Sequence, residues 1–334
     1  AAQLSDDASQ AFTDCVTLTL RGPLQIAALE RAIEKLAARH DSLRMKFSSD
    51  GESLAVTRQA ALELPLHDLT PVHPAEGLER LARVIAAQRK TPFDLSRETL
   101  LRCAVARLAA DHHVLILTTH HAVVDGWSLG LLIAGLGEFY SEACRSAASK
   151  RAPAAQFADY ARREAAARHS AERIATEKFW LDQFTTLPPP LELPRDRPRS
   201  NVGSYRAGRH QVILPRDGVQ HLRRFAARSG STLFATMLAV FNLLLHRLSG
   251  QDDIVIGIPA AGQMASDMPD LVGHCVNFLP LRQRIDISQR FSAYLGVVKS
   301  ALLDAYDHQN YTYGSLLRRL KLPRDGGRAP LLSA

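Results

Sequence analysis

The sequence predicts a mixed α/β protein built as two lobes, and three observations carry that prediction. Short apolar, β-branched runs bounded by turn residues alternate with longer segments whose apolar positions recur every three or four residues. The chain has 334 residues, more than the roughly 100–200 of a typical domain. Finally, the stretch LPPPLELPRDRPRS (187–200) holds five prolines among mixed charges and reads as an extended linker. It divides the chain into an N-terminal lobe, 1–185, a linker, 186–200, and a C-terminal lobe, 201–334.

The elements follow in order. CVTLTLRGPL (15–24) reads as a strand stopped by Gly-Pro, and ALERAIEKLAARH (28–40) as an amphipathic helix. SLRMKF (42–47) reads as a strand and residues 76–89 as a second amphipathic helix. LLRCAVARL (100–108) and HVLILTTH (113–120) are strands around a polar turn. SLGLLIAGLGEFYSEAC (128–144) is a helix with Ser128 as its expected N-cap, and another helix is expected over 154–184. Beyond the linker, 208–215 reads as a strand, 217–230 and 231–250 as helices ending in Gly, 252–262 as a buried strand and 291–309 as a helix.

Composition narrows the function. Hydrophobic residues make up 46% and charged residues 22%, enough for a large core and too apolar for whole-chain disorder. The net charge of +7 suits anionic partners, such as acidic proteins or phosphate-bearing ligands. No basic run is interleaved with aromatics, so nucleic acid is not an expected partner. The four cysteines (Cys15, Cys103, Cys144, Cys275) show no metal-like spacing and are expected to be reduced and buried. No signal-peptide pattern or apolar run near the ~18 residues of a membrane helix is seen, so the expected location is cytoplasmic, without a membrane partner.

The chemistry concentrates in TTHHAVVDGWS (118–128). The apolar run VLILTT delivers His120 and His121 to the point where a buried strand leaves its sheet. Adjacent strand residues face opposite ways, so one imidazole is expected to face a cavity and the other the structure. Asp125 follows in a turn that Gly126 is expected to permit through a positive φ. The carboxylate there could pair with an arginine or orient the imidazole, and the residues leave both open. Of the other histidines, His40 is expected to pack under a helix end, and the pair His112 and His113 to lie solvated in a turn. Trp127 and Trp180 are expected core anchors.

HHAVVDG resembles the HHxxxDG motif of condensation domains from nonribosomal peptide synthetases, and further stretches fall in that family's order. RHDSLRMKF (39–47) is similar to RHExLRTxF, and QFADYA (156–161) to YxDYA. VGHCVNFLPLR (272–282) is similar to VGxFVNTLPLR, DHQNYTYGSLL (307–317) to HQDYPFExL, and RDGGRAPLL (324–332) to RDxSRNPL. The departures are Cys275 in place of an aromatic, Thr312-Tyr313 in place of Pro-Phe, and Gly314 in place of Glu. The first family motif, SxAQxRLW, and the strands after the last one are absent, so a chain truncated at both ends is expected.

The resemblance implies two chloramphenicol acetyltransferase-like lobes in a V, with a tunnel leading to His121. It implies amide formation between a donor acyl or peptidyl thioester and an acceptor aminoacyl thioester. Both would arrive on 4'-phosphopantetheine arms of carrier proteins, with no cofactor of the domain's own and an adjoining adenylation domain as a further partner. His121 is then the proton acceptor or aligner and His120 its structural neighbour. Asp125 is expected to form a salt bridge with Arg282 or Arg44. Gly126 would offer its N–H to the reacting carbonyl in a space a side chain would crowd, and Asn277 would lie near the cavity or hold its loop. No EGHGRE-like stretch marks an epimerisation domain, and the histidine pair excludes the DxxxxD of heterocyclisation. An ester-forming domain, a coenzyme A acyltransferase and a non-catalytic recruitment module, which would lack the second histidine, are the alternatives.

Overall fold

A computed structural model describes residues 6–70, 74–146, 152–197, 208–322 and 330–332. The last family-like stretch, 324–332, therefore lies outside the described residues except for 330–332. The chain forms two compact units, one from residues 1–165 with 266–275 and one from 166–265 with 276–334. The expected mixed α/β class is what the structure shows.

The first unit runs α1 (Asp6–Ala11), β1 (Thr13–Arg21), α2 (Ile26–Arg39), β2 (Met45–Phe47), β3 (Leu54–Val56), β4 (Leu66–Asp68), α3 (Pro74–Lys90), β5 (Leu101–Ala109), β6 (His112–His120), α4 (Gly126–Cys144) and α5 (Phe157–Ala166). Its main sheet has the order β1-β6-β5-β4, with β6 antiparallel to both neighbours and β4 parallel to β5. A strand flanked on both sides and covered on both faces reads as a continuous apolar run, and residues 113–120 of β6 are all buried. Helix α2 lies against α4 and buries the stripe Leu29, Ala32, Ile33, Leu36 and Ala37. These residues join Leu101, Cys103, Val105, Leu115 and Leu117 in one core.

The segment 266–275 belongs to this unit although it lies beyond the linker in sequence. Met268, Leu271 and Cys275 are buried against Ala155, Phe157 and Tyr160, and Val272 enters the main core. Gly273 is required here, because a Cβ at that position would fall 2.1 Å from the Phe157 ring.

The second unit runs α6 (Ala171–Gln183), α7 (Arg216–Arg228), α8 (Leu233–Ser249), β7 (Asp253–Ala261), α9 (Gly262–Ala265), β8 (Val276–Arg284), α10 (Phe291–Asp307) and α11 (Tyr313–Leu320). Strands β7 and β8 pair antiparallel from Asp253↔Arg284 to Ala261↔Val276. Trp180, Ile254, Ile256, Leu279, Leu281, Leu295 and Val298 form its core. Helix α8 ends at Gly250, whose φ of 70° is the left-handed C-terminal cap that a glycine adopts without strain.

Several expectations change. The helix expected over 154–184 is two helices, broken at Ala167–His169 and restarted by the N-cap Ser170. That break falls beside the unit boundary, so the units divide at 165/166, ahead of the Pro-rich stretch. Residues 42–44 form a tight turn before the short β2. Residues 208–215 form no strand, and Ile213 there is 85% exposed. His113 is buried in β6, not solvated in a turn. Trp127 is 42% exposed and donates Nε1–H to the Pro269 carbonyl, so only Trp180 anchors a core. Cys144 is exposed, whereas Cys103 and Cys275 are buried.

Candidate active site

The backbone fixes the histidine pair from both sides. His120 N–H donates to Leu100 O at 3.1 Å, toward β5, and His121 N–H donates to Phe12 O at 2.7 Å, toward β1. Consecutive residues at a strand end thus point their amides to opposite neighbours and their side chains to opposite faces. The His120 ring is buried between Phe12 and Phe93. The His121 side chain is 32% exposed.

Each ring has a defined tautomer. Ala122 N–H donates to His120 Nδ1 at 3.0 Å, so the neutral ring carries its proton on Nε2. That atom is buried without a hydrogen-bond partner among the described residues. His121 Nδ1 sits 3.1 Å from Val124 O, and a carbonyl only accepts, so Nδ1 carries a proton. His121 Nε2 lies 3.1 Å from a carboxylate oxygen of Asp14, on β1.

The turn after the pair is apolar by necessity: Val123 and Val124 are buried, and Val123 N–H closes onto His120 O at 3.1 Å. Asp125 then starts α4 as its N-cap, accepting from Ser128 N at 2.8 Å. Its second oxygen accepts from Cys275 N at 3.0 Å. Ser128 Oγ donates to Gly273 O at 2.9 Å and accepts from Gly273 N at 3.0 Å. The start of α4 thereby holds residues 273–275 by three bonds, and the His274 ring comes to rest edge-on to His121 with centroids 5.9 Å apart.

Several expectations about this turn meet a different arrangement. Asp125, not Ser128, is the cap; both residue types cap well, and the carboxylate wins by also reaching Cys275 N. The bonds seen for Asp125 are these backbone ones, and the two arginines expected beside it have partners of their own. Arg282 gives Nε and Nη2 to the Asp253 carboxylate at 2.8 and 2.5 Å, and Nη1 to the Gln183 and Thr186 carbonyls. It clamps the end of α6 to the β7–β8 pair. Arg44 donates to the carbonyls of Ala37 and Thr57, tying the turn to α2 and β3. Gly126 has no positive φ, being already helical, and a Cβ there would meet nothing within 4 Å.

Asn277 holds its loop: Nδ2 donates to Gln309 O and Tyr311 O, and Oδ1 accepts from Tyr313 N. Two neighbours of His121 escape sequence reading. Asp14 sits at the start of an unremarkable strand, one residue ahead of the run read as β, and His274 arrives from 153 positions further along the chain. No group of three His, Cys, Asp or Glu among the described residues could hold a metal ion.

Burial pushes the His120 pKa down to about 4, helped by the neighbouring imidazoles of His121 and His274. Desolvation also lowers His274, with His121 adding to the effect. A histidine lowered in the folded state contributes stability that is complete above its unfolded pKa, roughly 6.5, and is lost as pH falls through the folded value. Acidification from pH 7 to pH 5 is expected to cost about 2 kcal/mol through His120 alone. Urea titrations at the two pH values measure this, and His120→Phe is expected to flatten the dependence.

The full chain, residues 1–334, matches the family model described as Condensation domain. It is 32% identical to one of the plipastatin synthase polypeptides of Bacillus subtilis (strain 168) over 99% of its own length, which is 13% of that polypeptide. It is 35% identical to one of the linear gramicidin synthase polypeptides of Brevibacillus parabrevis over 93% of its own length, or 4% of that polypeptide. Among solved structures, the X-domain from teicoplanin biosynthesis superposes with a TM-score of 0.88 at 26% identity, covering 99% of this chain and 73% of that one. The histidine pair, its capping aspartate and these likenesses over the whole length point one way: the chain belongs to the condensation-domain family.

Proposed function

We propose that the chain catalyses amide formation between a donor acyl or peptidyl thioester and an acceptor aminoacyl thioester. Each is carried on the phosphopantetheine arm of a carrier protein, in a synthetase that also holds an adenylation domain. The relatives named above are parts of peptide synthases, which supports the substrate class. The observation that carries the reading is the state of His121: part-exposed, pinned through its backbone, with Nδ1 committed to Val124 O and Nε2 turned toward the part-exposed Asp14 carboxylate.

A thioester is already activated, so holding two tethered reactants together supplies much of the acceleration. An imidazole with a reference pKa of about 6.5 can accept a proton from the attacking nitrogen at neutral pH. His121 Nε2 takes a proton from the acceptor nitrogen and returns it to the departing thiolate. His120, neutral and buried, packs behind it. The first-turn N–H of Gly126 lies at the positive end of α4, where it would be offered to the developing oxyanion.

Gly126 gives a test of that placement. Since a Cβ there meets no protein atom within 4 Å, Gly126→Val is expected to fold with stability within about 0.5 kcal/mol of wild type. The new side chain would instead occupy space proposed for substrate, and turnover is expected to fall about 10²-fold. Thermal unfolding and product yield measure the two effects.

The function itself is tested by mixing donor- and acceptor-loaded carriers with the protein and reading the intact mass of the acceptor carrier. A mass gain equal to the donor acyl group, stable to mild base, is the amide. A base-labile gain is the ester. The second reading is a recruitment module without catalysis, and the presence of His121 counts against it. Absence of any gain over the uncatalysed mixture supports it.

A further inference from the structure

We infer that Asp14 receives the α-ammonium of the acceptor and so makes the site selective for an amine over a hydroxyl. The inference rests on the amide-forming reading above and deepens it. Asp14 pairs at 3.1 Å with His121 Nε2, the ring nitrogen that Val124 O does not engage, and its side chain is 45% exposed, so an arriving ammonium can come between or beside the two. Among the described residues no lysine or arginine pairs with it. It is not needed to orient His121, whose ring is already set by Val124 O and whose backbone is tied to Phe12 O. Strand β1 places it opposite Thr119 of β6, beside the end of the histidine strand. The other ionisable groups around the pair are His120, buried and neutral, His274 on the facing loop, and Asp125, whose two oxygens hold Ser128 N and Cys275 N.

A carboxylate and an imidazole nitrogen side by side match an ammonium. One N–H donates to Asp14 and a second to His121 Nε2. A hydroxyl has a single donor, and its lone pairs would face the carboxylate. The proton balance closes with no further reactant. The ammonium gives one proton to Nε2, and its freed lone pair attacks the thioester carbon as the carbonyl π pair moves to oxygen. The adduct nitrogen loses a second proton to solvent and keeps the third. The C–S bond then breaks, and the thiolate leaves as a thiol with the proton held on Nε2.

The test is calorimetric binding of unreactive arms: pantetheine amides of alanine, leucine, phenylalanine and aspartate, each beside its 2-hydroxy acid counterpart. Wild type is expected to bind at least one aminoacyl arm more tightly than its hydroxy partner. Asp14→Asn is expected to weaken that arm about fivefold, as a half-exposed ion pair allows, and to leave the hydroxy arm unchanged. A peptide-like α-amine has a pKa of roughly 7.7–8.0, so wild-type affinity for the aminoacyl arm should fall between pH 7 and 9 as the ammonium is lost. That fall should disappear in Asp14→Asn and return in Asp14→Glu. Equal affinity of the Asn variant and wild type for the aminoacyl arm, or equal weakening of both classes, overturns the inference while leaving the amide reading in place. Failure of wild type to bind any arm overturns both.

Discussion

Replacing His121 with alanine is expected to lower amide formation by about 10²–10⁴-fold, the range that positioned proton transfer contributes. The fold should survive. The side chain is 32% exposed, and the backbone bond from residue 121 to Phe12 O does not depend on the ring. His120→Ala makes the contrast. It empties a fully enclosed site between two phenylalanines and removes the acceptor for Ala122 N–H, so its first effect is on stability. Single-turnover transfer between loaded carriers, read by intact mass, separates the two. A loss of only a few-fold in His121→Ala would make the ring an aligner, with proximity of the two arms doing the rest. An unchanged rate would remove it from the chemistry.

The sequence made the centre of this site legible because strand physics is local. An apolar run ending in two histidines fixes, by alternation alone, that the rings face apart, and His120 and His121 do. A following Asp in reach of a helix start announces a cap, although Ser128 was an equally good candidate by type. What stayed hidden depends on partners far away in the chain. Nothing in GHC announces that residues 273–275 fold back onto the start of α4, or that His274 comes to the edge of His121. Asp14 sits in an ordinary strand, and only the pairing of β1 with β6 gives it a neighbour worth noting. The partner of Arg282 on its own sheet was hidden for the same reason: only the pairing of β7 with β8 brings Asp253 to it. The Pro-rich stretch marked a linker by composition, yet compactness is set by contacts, and these place α6 with the second unit.

Asp125→Ala is expected to cost about 2–4 kcal/mol, and the two bonds of its carboxylate explain the size. Losing the cap on Ser128 N costs roughly 0.5–2 kcal/mol. Leaving the buried Cys275 N–H unsatisfied adds roughly 1–3 kcal/mol. Asp125→Asn keeps one acceptor oxygen but turns an amino group toward the other N–H, so it should recover about half of the loss. A thermal scan measures the sum but does not say where the damage lies. Cys275 does. Its thiol is buried, and burial, with Asp125 adding, pushes its pKa up to about 12, so it should be inert to thiol reagents at neutral pH in the folded protein. If Asp125 holds the 266–275 segment in place, Asp125→Ala should speed labelling of Cys275 well below the melting temperature, measured in a Cys144→Ser background to remove the exposed thiol. Labelling that rises only with global unfolding would mean that Met268, Leu271 and Val272 hold the segment by packing alone. Asp125 would then be a helix cap and nothing more, and His274 would keep its place beside His121 without it.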